Sequence, residues 1–309
     1  MAAIMMRDAD TTGTTDTASI APPAAPGASA APSVSPAPAS ATEPGVPAEP
    51  DVPALAYQRR GTPSHVPLVL LHALPLDSSM WDNVCTKLED LDIITPDAPG
   101  FGDSRTILTD RTPSLSLYAQ AVKALLDHAS ISKIVLGGLS MGGAVAAEFT
   151  ARYPSMVAGL ALMDTNIGLD TAQGREGRLA KAALADEGKG YATVRDWPHT
   201  MLSPHASDQV RQTIAQCLRH LPNEGLAWQQ RAMADRHDRT CALELVHGPV
   251  FLGCGDADPT CSLEYMMHLA LKASQPYIRE FSEAGHFSAN EQPAQVAQFL
   301  RDLYEKATA

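Results

Sequence analysis

The sequence predicts an α/β fold: a mostly parallel central sheet flanked by helices, interrupted by a helical insertion. Three observations predict it. From residue 54 onward, short apolar runs alternate with stretches whose apolar residues recur at helical spacing, a pattern that builds parallel sheets covered by helices. One run leads directly into Gly137-Gly138-Leu139-Ser140-Met141-Gly142-Gly143 and then a small-residue helical stretch. Between 166 and 239 no strand candidate appears, although helical stretches do, and the alternation then resumes.

The elements follow in order. Residues 1–53 are rich in Ala, Pro, Thr, Ser and Gly, with few large apolar side chains to offset chain entropy, so this segment is expected to be a disordered tail. Residues 54–57 read as an edge strand and 66–71, an unbroken apolar run, as a strand buried on both faces. A helix is expected over 80–88, capped by Asp77 or Ser78, with Trp81 turned inward. The strand at 92–95 runs into Pro96-Asp97-Ala98-Pro99-Gly100-Phe101-Gly102-Asp103-Ser104, where proline and glycine force a loop. Helical spacing covers 114–129, strands 134–136 and 157–163 flank the elbow helix, and helices are expected at 171–185, 190–201, 207–219 and 223–234. A strand at 250–254, a helix at 261–274, a strand at 277–281 and an amphipathic final helix through Val296, Phe299, Leu300, Leu303 and Tyr304 complete the chain. The expected organisation is therefore a tail at 1–53, an α/β core at 54–165 and 240–309, and a helical cap at 166–239.

The formal net charge is −12. Arg7 against Asp8, Asp10, Asp16, Glu43, Glu49 and Asp51 puts −5 in the tail and leaves −7 for the rest. An acidic surface repels phosphate backbones and anionic lipid, which argues against nucleic-acid and membrane partners. No apolar run approaches the length of a membrane span, and the acidic start lacks the pattern of a targeting segment. The five cysteines, Cys85, Cys217, Cys241, Cys254 and Cys261, show neither metal-ligand spacing nor a disulfide framework, which suits reduced thiols and a cytoplasmic location. Neither a metal nor a cofactor is expected.

Strand, then Gly138-Leu139-Ser140-Met141-Gly142, then helix is the pattern of a nucleophile elbow. Gly138 and Gly142 leave room where side chains would collide on a tight turn, and Ser140 sits at a helix start, where backbone N–H groups favour developing negative charge. A serine hydroxyl needs a base to take its proton and an acid to orient that base. Of ten histidines, His286 lies in the small-residue loop Glu283-Ala284-Gly285-His286-Phe287 after the last strand, at the carboxyl edge it shares with Ser140. His72 lies at the same edge and is read as a hydrogen-bonding residue of its loop. Three carboxylates compete for the acid: Asp256 and Asp258 after the strand at 250–254, and Asp164 after the strand at 157–163.

Five motifs in order resemble the α/β-hydrolase superfamily from about Tyr57 to the end of the chain: His72-Ala73-Leu74-Pro75, the 97–104 loop, the elbow, Gly255-x-x-Asp258, and Gly285-His286-Phe287 followed by Glu291-Gln292-Pro293. The resemblance implies the α/β-hydrolase fold, with a helical cap inserted after the sixth strand. It implies Ser140, Asp258 and His286 as the catalytic triad, the acid being the last residue of G-x-x-D. It also implies the backbone N–H groups of Leu74 and Met141 as oxyanion donors. The chain departs from the family's His-Gly at Ala73, which puts the first donor in question. Dehalogenases of this fold carry aspartate at the elbow, so a serine implies acyl transfer.

The elbow, together with 231–238, is similar to bacterial hydrolases grouped with the 3-oxoadipate enol-lactonases. The expected activity is hydrolysis of a small-molecule carboxylic ester or lactone through an acyl-enzyme. A cofactor-free perhydrolase or haloperoxidase using the same triad, and a non-catalytic binding protein, are the alternatives. Met141, Met201, Met233 and Trp197 are candidates for an apolar acyl pocket. Arg175, Arg178, Lys181 and Arg195 are mixed with Asp186 and Glu187 in the insertion, where a solvated surface competes with one arginine reaching inward to a substrate carboxylate.

Overall fold

The computed structural model describes residues 4–5, 52, 54–106 and 111–309. Eight strands form one sheet among them: β1 (Ile4–Met5), β2 (Tyr57–Arg60), β3 (Leu68–Leu71), β4 (Ile93–Pro96), β5 (Ile134–Leu139), β6 (Val157–Met163), β7 (Val250–Gly255) and β8 (Pro276–Phe281). Their spatial order is β1-β8-β7-β6-β5-β3-β4-β2, parallel throughout except for the antiparallel edge pair β2–β4. The central strands are Leu-, Val- and Ile-rich and buried along their whole length, as a sheet covered on both faces requires. Strand order reverses between β3 and β5, so the loops leaving their carboxyl ends part and leave a crevice.

Helices cover both faces. After a 3₁₀ turn at Ser78–Trp81, α1 spans Asp82–Cys85; α2 (Leu115–His128), α3 (Met141–Arg152), α8 (Leu263–Ala270), α9 (Ser288–Glu291) and α10 (Pro293–Thr308) belong to the sheet layers. Side-chain oxygens at Asp77, Ser114 and Ser262 accept from early backbone N–H groups and mark where their helices begin. Phe299 of α10 packs edge to face against Phe251 and Phe281 of the sheet, and all three are fully buried.

Between β6 and β7 the described chain holds only helices: α4 (Ala172–Asp186), a 3₁₀ turn at Gly190–Thr193, α5 (Trp197–Thr200), α6 (Asp208–Arg219), α7 (Asn223–Ala234) and a 3₁₀ segment at Thr240–Leu245. These helices are fastened to the sheet by backbone contacts. Gln229 Nε2 donates to Pro99 O at 2.8 Å, and Gly225 lies so close to Gly100 that an added Cβ would stand 2.1 Å from its carbonyl oxygen. His286 N–H donates to Met201 O at 2.7 Å.

Three boundaries differ from the sequence expectation. The edge strand begins at Tyr57 rather than 54, because the Ala56 N–H before it donates to Ser104 Oγ at 2.9 Å instead of to a neighbouring strand. The helix expected over 80–88 is α-helical only at Asp82–Cys85 and continues as tight i→i−3 turns that drop Leu88 and Leu91 into the core. The helix expected over 190–201 is broken at 194–196 into a 3₁₀ turn and the four-residue α5. Of residues 1–53, read as a disordered tail, Ile4–Met5 pair parallel with Tyr277 and Ile278 of β8, and the rest, apart from Val52, lie outside the described residues. No helix among the described residues is long and apolar enough to cross a membrane, and all five cysteines are unpaired thiols.

Candidate active site

Ser140 joins β5 to α3 with φ 54° and ψ −116°, a conformation that side chains rarely adopt. Its surroundings over-determine it. Ser140 N–H donates to Met163 O at 2.9 Å, and Thr165 Oγ1 donates to Ser140 O at 2.6 Å. A Cβ at Gly138 would fall 2.2 Å from Gly142 O, and one at Gly142 would fall 2.1 Å from Leu71 O. The glycines are thus required by backbone that crowds them, and the close packing of α3 on β3 aims the Ser140 hydroxyl out of the sheet edge.

Three loops at that edge converge. Ser140 Oγ lies 2.8 Å from His286 Nε2, and His286 Nδ1 lies 3.0 Å from Asp258 Oδ2. With Nδ1 donating to the carboxylate, Nε2 is left as acceptor for the serine O–H. Thr260 completes the arrangement. Its N–H and hydroxyl both donate to Asp258 Oδ1, at 2.7 and 2.9 Å, while its Oγ1 lies 2.8 Å from His286 Nδ1. Asp258 is wholly buried behind the imidazole. Thr260 was not singled out in the sequence, although Asp258-Pro259-Thr260 has the Asx-turn spacing that could have found it.

The two rival carboxylates are engaged elsewhere. Asp256 accepts from the backbone N–H groups of Glu283 and Ala284, at 3.0 and 3.2 Å, and so ties the β7 loop to the β8 loop. Asp164 accepts from Gly255 N–H at 2.9 Å and from the Ser288 hydroxyl. Burial, and after it the charge of Asp258, pushes the Asp164 carboxyl well above the usual range.

The His286 loop is braced by Glu291, whose Oε1 accepts from Gly285 N–H at 2.9 Å and whose Oε2 accepts from Ser203 N–H at 2.7 Å. His72 is buried, which lowers its pKa and keeps the ring neutral. Its Nε2 accepts from Ala98 N–H at 2.8 Å and its Nδ1 donates to Ala73 O at 3.0 Å, linking the β3 loop to the 97–104 loop. Ala73 is not among the described residues with positive φ, so alanine replaces glycine there without backbone strain. Leu74 and Met141 border the cavity beside Ser140, and neither backbone N–H donates to a protein acceptor among the described residues.

These groups open into a cavity of about 390 Å³ between the sheet edge and the inserted helices. Met141, Trp197, Met201 and Met233 all line it. So do Arg178, Lys181 and Arg236; Arg175 and Arg195 do not, and both are exposed. Arg236 was not among the insertion cations weighed from the sequence.

Residues 68–299 match the family model described as "Alpha/beta hydrolase family". The chain belongs to that family. Among solved structures, this hydrolase is similar to a thermophilic esterase from Thermogutta terrifontis, solved with malate bound. That chain is 31% identical with a TM-score of 0.79, and the match covers 85% of this chain and 97% of the esterase. An enol-lactonase from Burkholderia xenovorans LB400 shares the fold at 21% identity and a TM-score of 0.73, over 82% of this chain and 97% of that one. A Bacillus subtilis (strain 168) protein provisionally named 2-succinyl-6-hydroxy-2,4-cyclohexadiene-1-carboxylate synthase is 27% identical over 251 residues, 76% of this chain and 90% of its own length.

Proposed function

We propose that the protein is a serine hydrolase that cleaves a carboxylic ester or lactone of a small molecule through an acyl-enzyme on Ser140. The observation that carries this reading is the hydrogen-bonded series Ser140 Oγ, His286 Nε2, His286 Nδ1, Asp258 Oδ2, opening onto a cavity between the sheet edge and the inserted helices. Ser140 Oγ attacks the carbonyl carbon while His286 Nε2 takes its proton. Asp258, fixed by Thr260, holds the imidazole in the accepting tautomer and stabilises the imidazolium. The tetrahedral oxyanion sits against the N–H groups of Leu74 and Met141, where each such donor supplies a factor of roughly 10²–10³ in rate. His286 returns the proton to the leaving alkoxide as the C–O bond breaks, and a water activated by His286 then releases the acid and restores Ser140.

A fluorophosphonate probe tests the reading directly. Ser140 is expected to be labelled stoichiometrically, and p-nitrophenyl acetate to give a burst equal to the enzyme concentration. Ser140→Ala abolishes both. An unlabelled Ser140, under conditions that label a control esterase, overturns the assignment.

A further inference from the structure

The inserted wall of the cavity carries more positive charge than the protein itself neutralises. Three cations line it: Arg178, Lys181 and Arg236. Two acids also line it, and one of these, Asp164, is bonded to Gly255 N–H and the Ser288 hydroxyl rather than to a cation. The other, Asp170, is shared. Its Oδ2 accepts from Arg178 Nε at 2.6 Å, and its Oδ1 pairs with Arg236 Nη2 at 2.7 Å.

Arg236 is almost wholly buried, and its Nε donates to Gly168 O at 2.8 Å, yet its Nη1 is a buried donor with no hydrogen-bond partner among the described residues. A buried charged donor left without an acceptor is costly. Lys181 pairs with no carboxylate among the described residues. Its Nζ stands 5.9 Å from the centroid of the Trp197 ring, which also lines the cavity. Burial, and then the neighbouring charge of Arg178, lowers the Lys181 pKa, the condition of an ammonium that lacks its counter-ion. His286 is the remaining titratable group on the lining, at the opposite, catalytic side.

We infer that this wall is a carboxylate subsite: the substrate is an ester or lactone bearing a second, free carboxylate, which Lys181 holds beside the Arg178–Asp170–Arg236 cluster while the scissile carbonyl meets Ser140. This deepens the hydrolase reading and rests on it for the second half of the statement only. The anion supplies the charge the wall lacks. The apolar part of the lining, which includes Leu74, Met141, Trp197, Met201 and Met233, accommodates the hydrocarbon between the two ends. A pocket built to satisfy buried donors rejects an isostere that leaves them unpaired far more strongly than it rejects a missing methylene.

Two measurements separate the subsite from the chemistry. Monomethyl adipate and methyl hexanoate have the same chain length and differ in the terminal carboxylate. Their kcat/KM ratio, followed by methanol release, is expected to favour the adipate ester at least tenfold. The ratio should fall about tenfold or more in Lys181→Met, through KM, and recover in Lys181→Arg. Binding is read without turnover by calorimetry of adipate into Ser140→Ala, where adding Lys181→Met should weaken Kd about tenfold. A ratio near one, or adipate binding indifferent to Lys181, overturns the subsite. Failure of the wild type to cleave either ester, with Lys181-dependent adipate binding retained, leaves the subsite standing and overturns the hydrolase reading instead.

Discussion

At the residue scale, the three carboxylates of the sheet edge are chemically alike and differ only in what donates to them. Asp258 receives the imidazole N–H and both Thr260 donors, Asp256 receives two backbone N–H groups, and Asp164 receives Gly255 N–H and the Ser288 hydroxyl. The three Asp→Asn variants should therefore part company. Asp258→Asn presents the wrong tautomer to Ser140 and should lower kcat by roughly 10³–10⁴. Asp164→Asn leaves the imidazole's partner in place and should retain kcat within about tenfold, while Asp256→Asn should lower Tm more than kcat, since it loosens a loop. Steady-state kinetics and melting curves on the three proteins check this; a loss in Asp164→Asn equal to that in Asp258→Asn would show that Asp164 acts on the histidine. Sequence spacing narrowed the acid to these three residues, and the family resemblance pointed to Asp258. Geometry then separated them, because side chains two residues apart on a turning chain point in directions that no periodicity records.

At the element scale, the elbow is a close approach between α3 and β3, and its glycines differ in kind from those of α4. Gly142→Ala would set a Cβ 2.1 Å from Leu71 O, so backbone must move. It is expected to destabilise the protein by about 1–3 kcal/mol, by the cost of overpacking. Gly177, within α4, has open space around its missing Cβ. Gly177→Ala should stabilise by roughly 0.5–1 kcal/mol through helix propensity alone. Urea unfolding of the pair measures both, and a Gly142→Ala protein as stable as wild type would show that the elbow is slack. The elbow motif marked Gly142 in the sequence, whereas nothing there marked Gly177 as standing in open space. Elements with strong apolar signals were legible: β6 lies where the run at 157–163 put it, and α10 contains the amphipathic positions 296–304 within a longer helix. The edge strand β2 was displaced because the buried apolar residues Leu55 and Ala56 precede its ladder, so the apolar signature does not mark where pairing starts. The pairing of Ile4–Met5 with β8 was invisible for a related reason: two residues carry no period.

Across the whole molecule, the inserted helices and the sheet layer meet through a charged joint as well as through the cavity. Glu148 on α3 is buried and bonded to Ser116 of α2, Arg152 of α3 and Arg239 beyond α7. Burial by itself would raise its pKa, but the hydrogen bonds from Arg239, Ser116 and Arg152 outweigh that and hold it at about 2. The unfolded chain titrates near the ordinary glutamate value of about 4.3. Because the folded value is the lower one, this stabilisation is present above about pH 4 and is lost as pH falls towards 2; it amounts to about 3 kcal/mol at neutral pH. Glu148→Gln should remove that dependence, flattening the urea-unfolding free energy between pH 2 and 4.5 by close to one proton, and it should lower stability at pH 7. An unchanged slope would mean that Glu148 is not the group whose protonation loosens the joint.

The sequence by itself determined the sheet-and-helix alternation, the place of the helical insertion, the serine at the elbow and the histidine after the last strand. Each of these is written in local chemistry: apolar periodicity, glycine where backbone crowds, small residues around a reactive side chain. Tertiary structure alone decided which aspartate faces the imidazole, that Thr260 supports it, that Ala73 is unstrained, and that Lys181 and Arg236 line the cavity while Arg175 and Arg195 face solvent. Those properties depend on distances between residues far apart in the chain, and on which charges find a partner once water is excluded, and neither is set by neighbours in sequence.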